Sequence, residues 1–187
     1  ASFARAGYRT VRIGTPHLPS FLVEGFDIVE RPHDVEPCFD RLVANFRAAH
    51  DANAPVFAWV HLNGVHFPYD PPRVHQRWEQ DYVGRFKHAV TRPEFDKIAV
   101  YPDRSTPRER AHIVSLIDAG YRHIDTALRT TIERLATEKL VDDLIVVVLG
   151  DHGTHFGEQN LWFVFGTPNL ASLRVPVVIY APGRVRP

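Results

Sequence analysis

Near the end of the chain, Leu144-Ile145-Val146-Val147-Val148-Leu149-Gly150 runs into Asp151-His152-Gly153. Asp151 offers a hard oxygen and His152 an imidazole nitrogen, so the pair can hold a divalent metal together. The glycines on either side let the backbone turn sharply and leave room for a ligand. The apolar run before them is rich in β-branched residues and has no polar interruption, which predicts a parallel strand covered on both faces. Such a strand delivers Asp151 and His152 at its carboxyl end, where open α/β sheets build their sites. A plainer role for the same turn is an aspartate that caps a following helix.

Two other predicted strands also lead to a histidine. Tyr8 to Ile13 (YRTVRI) alternates and carries β-formers, then passes through Gly14-Thr15-Pro16 to His17. Pro55 to Leu62 (PVFAWVHL) is a buried strand followed by Asn63-Gly64-Val65-His66 and a proline-rich stretch. Where these strands run parallel, His17, His66, Asp151 and His152 meet on one edge of a sheet. His155 and Glu158 follow the metal pair as supporting groups or as exposed loop residues, Glu158 fitting the loop role better. His61 falls inside an apolar strand and reads as a core or edge residue. His33, His50, His75, His88, His112 and His123 read as ordinary packed or surface side chains.

The elements that position these groups alternate between strand and helix. Ala1 to Ala6 reads as the last turns of a helix closed by Gly7. A helix end feeding a strand is an unusual way for a domain to start, so earlier sequence of the same fold is expected. Phe26 to Glu30 predicts a short strand. Phe39, Leu42, Val43 and Phe46 then mark one face of an amphipathic helix. Residues 63–105 read as an irregular excursion over the site rather than as core. Thr106-Pro107-Arg108-Glu109 combines an N-cap, proline at the first helical position and glutamate three residues after the cap. Ile113, Leu116, Ile117, Gly120, Ile124, Ala127, Leu128 and Leu135 continue that helix as an apolar stripe towards Lys139. Val175 to Tyr180 is a last strand. Strands separated by helices predict one α/β domain over residues 1–187, a three-layer αβα sandwich with a largely parallel central sheet.

Composition narrows the function classes. Lys plus Arg and Asp plus Glu number 22 each, so the basic excess of a nucleic-acid surface is lacking. No apolar run approaches the roughly 20 residues of a membrane span. The single cysteine, Cys38, excludes an internal disulfide and a multi-cysteine metal site.

Leu144 to Gly157 (LIVVVLGDHGTHFG), Leu161-Trp162, then Arg174-Val175-Pro176-Val177-Val178-Ile179 and Ala181-Pro182-Gly183 resemble the carboxyl-terminal half of the sulfatase family, in the alkaline-phosphatase-like superfamily. Gly7-Tyr8-Arg9-Thr10 through Gly14 to His17 is similar to the family's Gly-Tyr-x-Thr…Gly-Lys-x-His segment. His66-Phe67-Pro68-Tyr69 matches its His-x-Pro-Tyr, and Ala119-Gly120-Tyr121-Arg122-His123-Ile124-Asp125 resembles the helix before the metal strand. The resemblance implies metal ligation by Asp151 and His152, with calcium first and zinc or manganese as alternatives. It implies that His17 and His66 contact the anionic oxygens of a small-molecule or glycan sulfate or phosphate ester, or shuttle the leaving-group proton.

The departures are as specific. The family's nucleophile is a formylglycine made in Cys/Ser-x-Pro-x-Arg, ahead of the Gly-Tyr-x-Thr segment, and two further acidic ligands precede it. Cys38 is followed by Phe39-Asp40-Arg41, lacks the proline and sits on an apolar-striped helix, so it reads as a packed thiol. Thr15 stands where the family lysine before the histidine is expected, and the second lysine's place falls near Phe165. This leaves three expectations: a partial sulfatase-type hydrolase with little turnover of its own, a phosphoethanolamine or phosphoglycerol transferase of the superfamily, or a non-catalytic scaffold.

Overall fold

The computed structural model describes residues 2–15, 23–87, 89–90, 92–140, 144–166 and 168–184. After a single helical turn, α1 (Ser2–Arg5), the chain enters β1 (Arg9–Gly14). Next come β2 (Ile28–Glu30), α2 (Val35–Asp51) and β3 (Val56–His61). All three strands are parallel, in the order β2-β1-β3. Parallel neighbours require a long crossover, and α2 supplies the one between β2 and β3.

The alternation of β1 explains its place. Val11 and Ile13 point to one face and are fully buried against Val35, Cys38, Phe39 and Leu42 of α2. Val56, Ala58 and Val60 of β3 join them from the next strand, with Ile124, Ala127 and Leu128 of α4 (Pro107–Thr137). Phe57, Trp59 and His61 take the opposite face, where Phe3 stacks on Phe57 at 4.0 Å and Phe26 lies 6.0 Å from Trp59.

Helix α4 starts where its signals predict. The Thr106 hydroxyl accepts from the Glu109 N–H at 3.2 Å, and Glu109 accepts from the Thr106 N–H at 2.7 Å. This reciprocal box satisfies two backbone donors that a helix start leaves without partners. The stretch 63–105, expected as an irregular excursion, adds residues to a second core that it shares with α4. Tyr69, Tyr82, Phe86, Val90 and Ile98 are buried with Ile113, Leu116 and Ile117 of α4 and with Phe163. It includes a helix, α3 (Arg92–Val100). Its apolar residues are spaced too irregularly for a sequence period, and only the surface of α4 gathers them.

The final elements are β4 (Val146–Leu149), α5 (Leu170–Leu173) and β5 (Val177–Tyr180). Here too the structure differs from expectation. β4 pairs antiparallel with β5, in a separate two-stranded sheet. Its side chains are open rather than covered, Leu149 being 60% exposed. An apolar run announces faces that favour cover, but not the direction of its neighbour, which the path of residues 150–176 decides. Among the described residues, no helix is long and apolar enough to cross a membrane.

Candidate active site

The ends of β1 and β3 adjoin so closely that a side chain on Gly14 would meet the His61 carbonyl oxygen at 1.9 Å. Gly14 also has a φ of 112°, which only glycine adopts without strain. Beyond it, Thr15 is buried, and its hydroxyl accepts from Asn63 Nδ2 at 3.0 Å. Thr15 therefore ties the two strand ends together and presents no cation where the resemblance expects lysine.

Beneath this edge lies Arg12, fully buried. Its Nη1 donates to the Gly14 carbonyl at 2.7 Å and its Nη2 to the Thr15 carbonyl at 2.6 Å. Burial, with Arg31 nearby, holds its pKa below the ordinary guanidinium value. The guanidinium staples the backbone of Gly14 and Thr15 at the end of β1. His17 itself lies outside the described residues.

His61 closes β3 and is half-buried. Burial pushes its imidazole below the ordinary range, while the Asp151 carboxylate pulls it upward and Arg12 and His66 add to the lowering. Its ring meets Trp59 edge to face at 6.2 Å. Asp151 and His66 thus share a neighbour although they come from separate parts of the chain. His66 is exposed, and its Nδ1 donates to the Phe67 carbonyl at 2.6 Å, which leaves Nε2 as the open nitrogen.

Asp151 and His152 sit on the turn after β4. Asp151 Oδ1 accepts from the His152 N–H at 3.0 Å. His152 Nδ1 donates to the Gly153 carbonyl at 3.0 Å, and its Nε2 lies 3.9 Å from Asp151 Oδ1. Phe165, near the place where the resemblance expects the second lysine, stacks on the His152 ring at 4.1 Å. An exposed carboxylate oxygen beside a lone-pair nitrogen suits two ligands of one divalent ion. No third ligating side chain joins them: among the described residues, no group of three or more His, Cys, Asp or Glu is gathered for a metal.

His155 is fully buried, with Nδ1 3.2 Å from the Glu158 carbonyl and Nε2 3.2 Å from Asn169 Nδ2. It fastens the loop to α5 rather than facing a ligand. Glu158 is exposed, and its carboxylate accepts from the Phe156 N–H at 2.7 Å, which lowers its pKa. Cys38 is buried, its thiol turned to the Pro32 carbonyl at 3.6 Å and pushed up to about 11, chiefly by burial.

From the sequence His61 reads as a core or edge residue because it stands in an apolar strand. Its signal was position: it is the last residue of β3, at the same kind of strand end that singled out Asp151. Arg12 had no signal, since an arginine in an alternating strand usually reads as solvent-facing.

Curated relatives match part of the chain. Choline-sulfatase of Rhizobium meliloti (strain 1021) is 32% identical over 65 residues, which cover 35% of this chain and 12% of that protein. Iduronate 2-sulfatase of Mus musculus is 30% identical over 69 residues, covering 37% and 12%. Solved structures share the fold across nearly all of the chain. The lipoteichoic acid synthase LtaP from Listeria monocytogenes superposes with a TM-score of 0.63 at 15% identity, over 99% of this chain and 46% of its own. A structure from work on glycosaminoglycan metabolism by Bacteroides thetaiotaomicron gives 0.69 at 17% identity, over 98% and 47%. A third, solved with its substrate D-glucosamine-2-N,6-O-disulfate, gives 0.58 at 18% identity, over 96% and 54%. The chain thus spans about half the length of the solved structures it matches and a smaller part of the curated relatives. The family model described as Sulfatase matches residues 2–187, and the chain belongs to that family.

Proposed function

We propose that this chain forms part of the active site of a metal-dependent hydrolase of sulfate or phosphate esters. The observation that supports this reading is that Asp151 and His66, from separate segments, both act electrostatically on His61 at the end of β3. Sulfatases generally act with a divalent metal, and Asp151 with His152 would hold it here. Two donors are fewer than the roughly six to eight oxygens that calcium takes, so the pair supplies only part of a shell. Calcium is the first candidate, with zinc or manganese as alternatives. When bound, the ion would neutralise charge growing on the nonbridging oxygens of the ester.

The chain's own residues supply the rest. His66, with Nε2 open, contacts the anion or hands a proton to the departing alcohol, and His17 shares that role. His61, kept neutral by burial, can take a proton from a neighbour. Arg12 places a fixed positive charge under the edge where an anion binds. A nucleophile segment of the family's kind is missing from the sequence, so the 187 residues by themselves turn over little or no ester. A sulfated sugar is the favoured ester, one fold neighbour having been solved with its substrate D-glucosamine-2-N,6-O-disulfate.

A second reading, a phosphotransferase of the same superfamily, draws on the likeness to LtaP over 99% of the chain. Thr15 and Phe165, which stand in for two cations, favour a third, a binding relative without catalysis.

Calorimetric titration of calcium, zinc and manganese into the chain and into Asp151→Asn and His152→Ala tests the site. Either variant is expected to weaken binding of the preferred ion about 10-fold or more. Unchanged affinity in both overturns the metal assignment. Assays with 4-nitrophenyl sulfate and 4-nitrophenyl phosphate should stay near background; rapid metal-dependent hydrolysis would contradict the incomplete machinery.

A further inference from the structure

His75 and His123 read from the sequence as ordinary side chains, yet the fold brings them face to face. Their rings stack with centroids 4.7 Å apart and planes 24° from parallel. His123 lies on α4 and is buried, and its Nε2 donates to Glu36 Oε1 in the first turn of α2 at 2.5 Å. His75 ends a 3₁₀ turn (Arg73–His75), and its carbonyl accepts from Arg122 Nη1 at 3.5 Å. The turn belongs to a loop strung between Tyr69 and Tyr82, both buried in the second core. His75 thus fastens the middle of that loop to the junction of α2 and α4. Val74, beside it, is 76% exposed, so the outer side of the turn faces solvent.

One atom makes this contact sensitive to protons. His75 Nδ1 is buried and has no hydrogen-bond partner among the described residues. In a neutral ring this nitrogen can be the one without a proton, so no donor is stranded. A protonated ring carries N–H at both nitrogens, and Nδ1 then becomes a buried donor that lacks an acceptor. The surrounding charges oppose that state as well. His123 and Arg122 face His75 from α4 and Arg77 from its own loop, against Glu36 alone from α2. Glu36 is 61% exposed and already bound by His123, so water and that partner weaken its pull. Burial first, then His123 and Arg122, hold the His75 imidazole below its ordinary range.

We infer that His75 and His123 form an acid-released latch: at neutral pH the stacked rings hold residues 70–81 against the junction of α2 and α4, and protonation of His75 frees that loop while both helices stay folded. In the released loop His75 meets water and titrates near 6.5, so the closed state is favoured above that pH and gives way below it. Because one proton is taken up on opening, the ratio of open to closed grows about 10-fold for each pH unit below 6.5, until the lower value of the closed state is reached. Release stays local, since Tyr69 and Tyr82 pin the two ends of the loop in the second core. The capping box that starts α4 contains no histidine, so acid in this range leaves it intact. The loop follows the segment of His66 in sequence, which puts a pH-dependent surface next to a candidate site residue along the chain. The latch operates whether or not the chain takes part in ester hydrolysis.

Amide exchange of the 187-residue chain, followed by NMR from about pH 7.5 to pH 5 and corrected for intrinsic rates, tests the latch. The amides of His75 and Gln76, which donate to the Pro72 and Arg73 carbonyls, should lose protection by about 10-fold over the first pH unit below 6.5. Amides inside α4 should exchange more slowly than these at every pH. His75→Phe keeps a ring on His123 but cannot take up a proton, and is expected to abolish the pH dependence at residues 75 and 76. Titration of the imidazoles by NMR gives a second reading that needs no variant: the His75 midpoint in wild type should lie below 6.5. His123→Phe should move that midpoint up. Exchange at residues 75 and 76 that is independent of pH, or equal to that of α4 throughout, overturns the latch. So does the same loss of protection in His75→Phe, or a wild-type His75 midpoint at or above about 6.5.

Discussion

The backbone at Gly153 passes so close to Ala171 that a Cβ there would lie 1.9 Å from the Ala171 carbonyl oxygen. Gly153 N–H also donates to the Ser172 carbonyl at 2.7 Å. The turn that holds Asp151 and His152 is therefore pressed against α5. Gly153→Ala forces backbone apart, and we expect it to destabilise the fold by ~3 kcal/mol. Thermal unfolding measures this; a melting temperature equal to wild type would mean that the turn has slack.

Arg12→Lys keeps a buried charge but loses the fork that reaches two carbonyls. Lysine cannot satisfy the Gly14 and Thr15 oxygens in the same geometry. A loss of about 2 kcal/mol is expected in urea unfolding, with the slope unchanged. Stability equal to wild type would show that those carbonyls find other partners.

His112 links acid pH to stability. Its ring stacks on Tyr82 at 3.9 Å and Nε2 donates to the Phe86 carbonyl at 2.9 Å. Burial holds its pKa below the ordinary value, and His61 and His75 are lowered likewise. In the unfolded chain these imidazoles return to about 6.5, so unfolding takes up protons once the pH falls below that value. Stability is therefore full above about pH 6.5 and declines as pH drops, before the carboxylates protonate. His112→Gln should flatten the decline between about pH 7 and pH 5; an identical slope in the variant would assign the effect to other groups.

Cys38 should be inert while the fold holds. With its pKa pushed up to about 11 and its thiol against Pro32, little thiolate forms at neutral pH. Alkylation by iodoacetamide is expected to be about 100-fold slower in the native chain than in urea. Equal rates would place Cys38 at the surface and reopen it as a reactive group.

Much of the scaffold was legible because local rules agree there. The box at Thr106 and Glu109 marked the start of α4, and the stripe at Phe39, Leu42 and Val43 marked the buried face of α2. The buried residues of the 63–105 stretch were not legible because Tyr82, Phe86 and Ile98 follow no period and are gathered only against α4. Of the candidate site, Asp151 and His66 stand out in the sequence because they follow strands, whereas the position of His61 beside them was hidden by its apolar neighbours.

The sequence by itself determined which residues are apolar, where helices start and that acid and imidazole groups follow strands, since these depend on side-chain chemistry and on spacing along the chain. Only the tertiary structure decided that Asp151 acts on His61, that Arg12 is buried, and that β4 runs against β5 with open flanks. Those outcomes depend on how distant segments come together, and on the direction and cover of neighbouring strands, which no local pattern encodes.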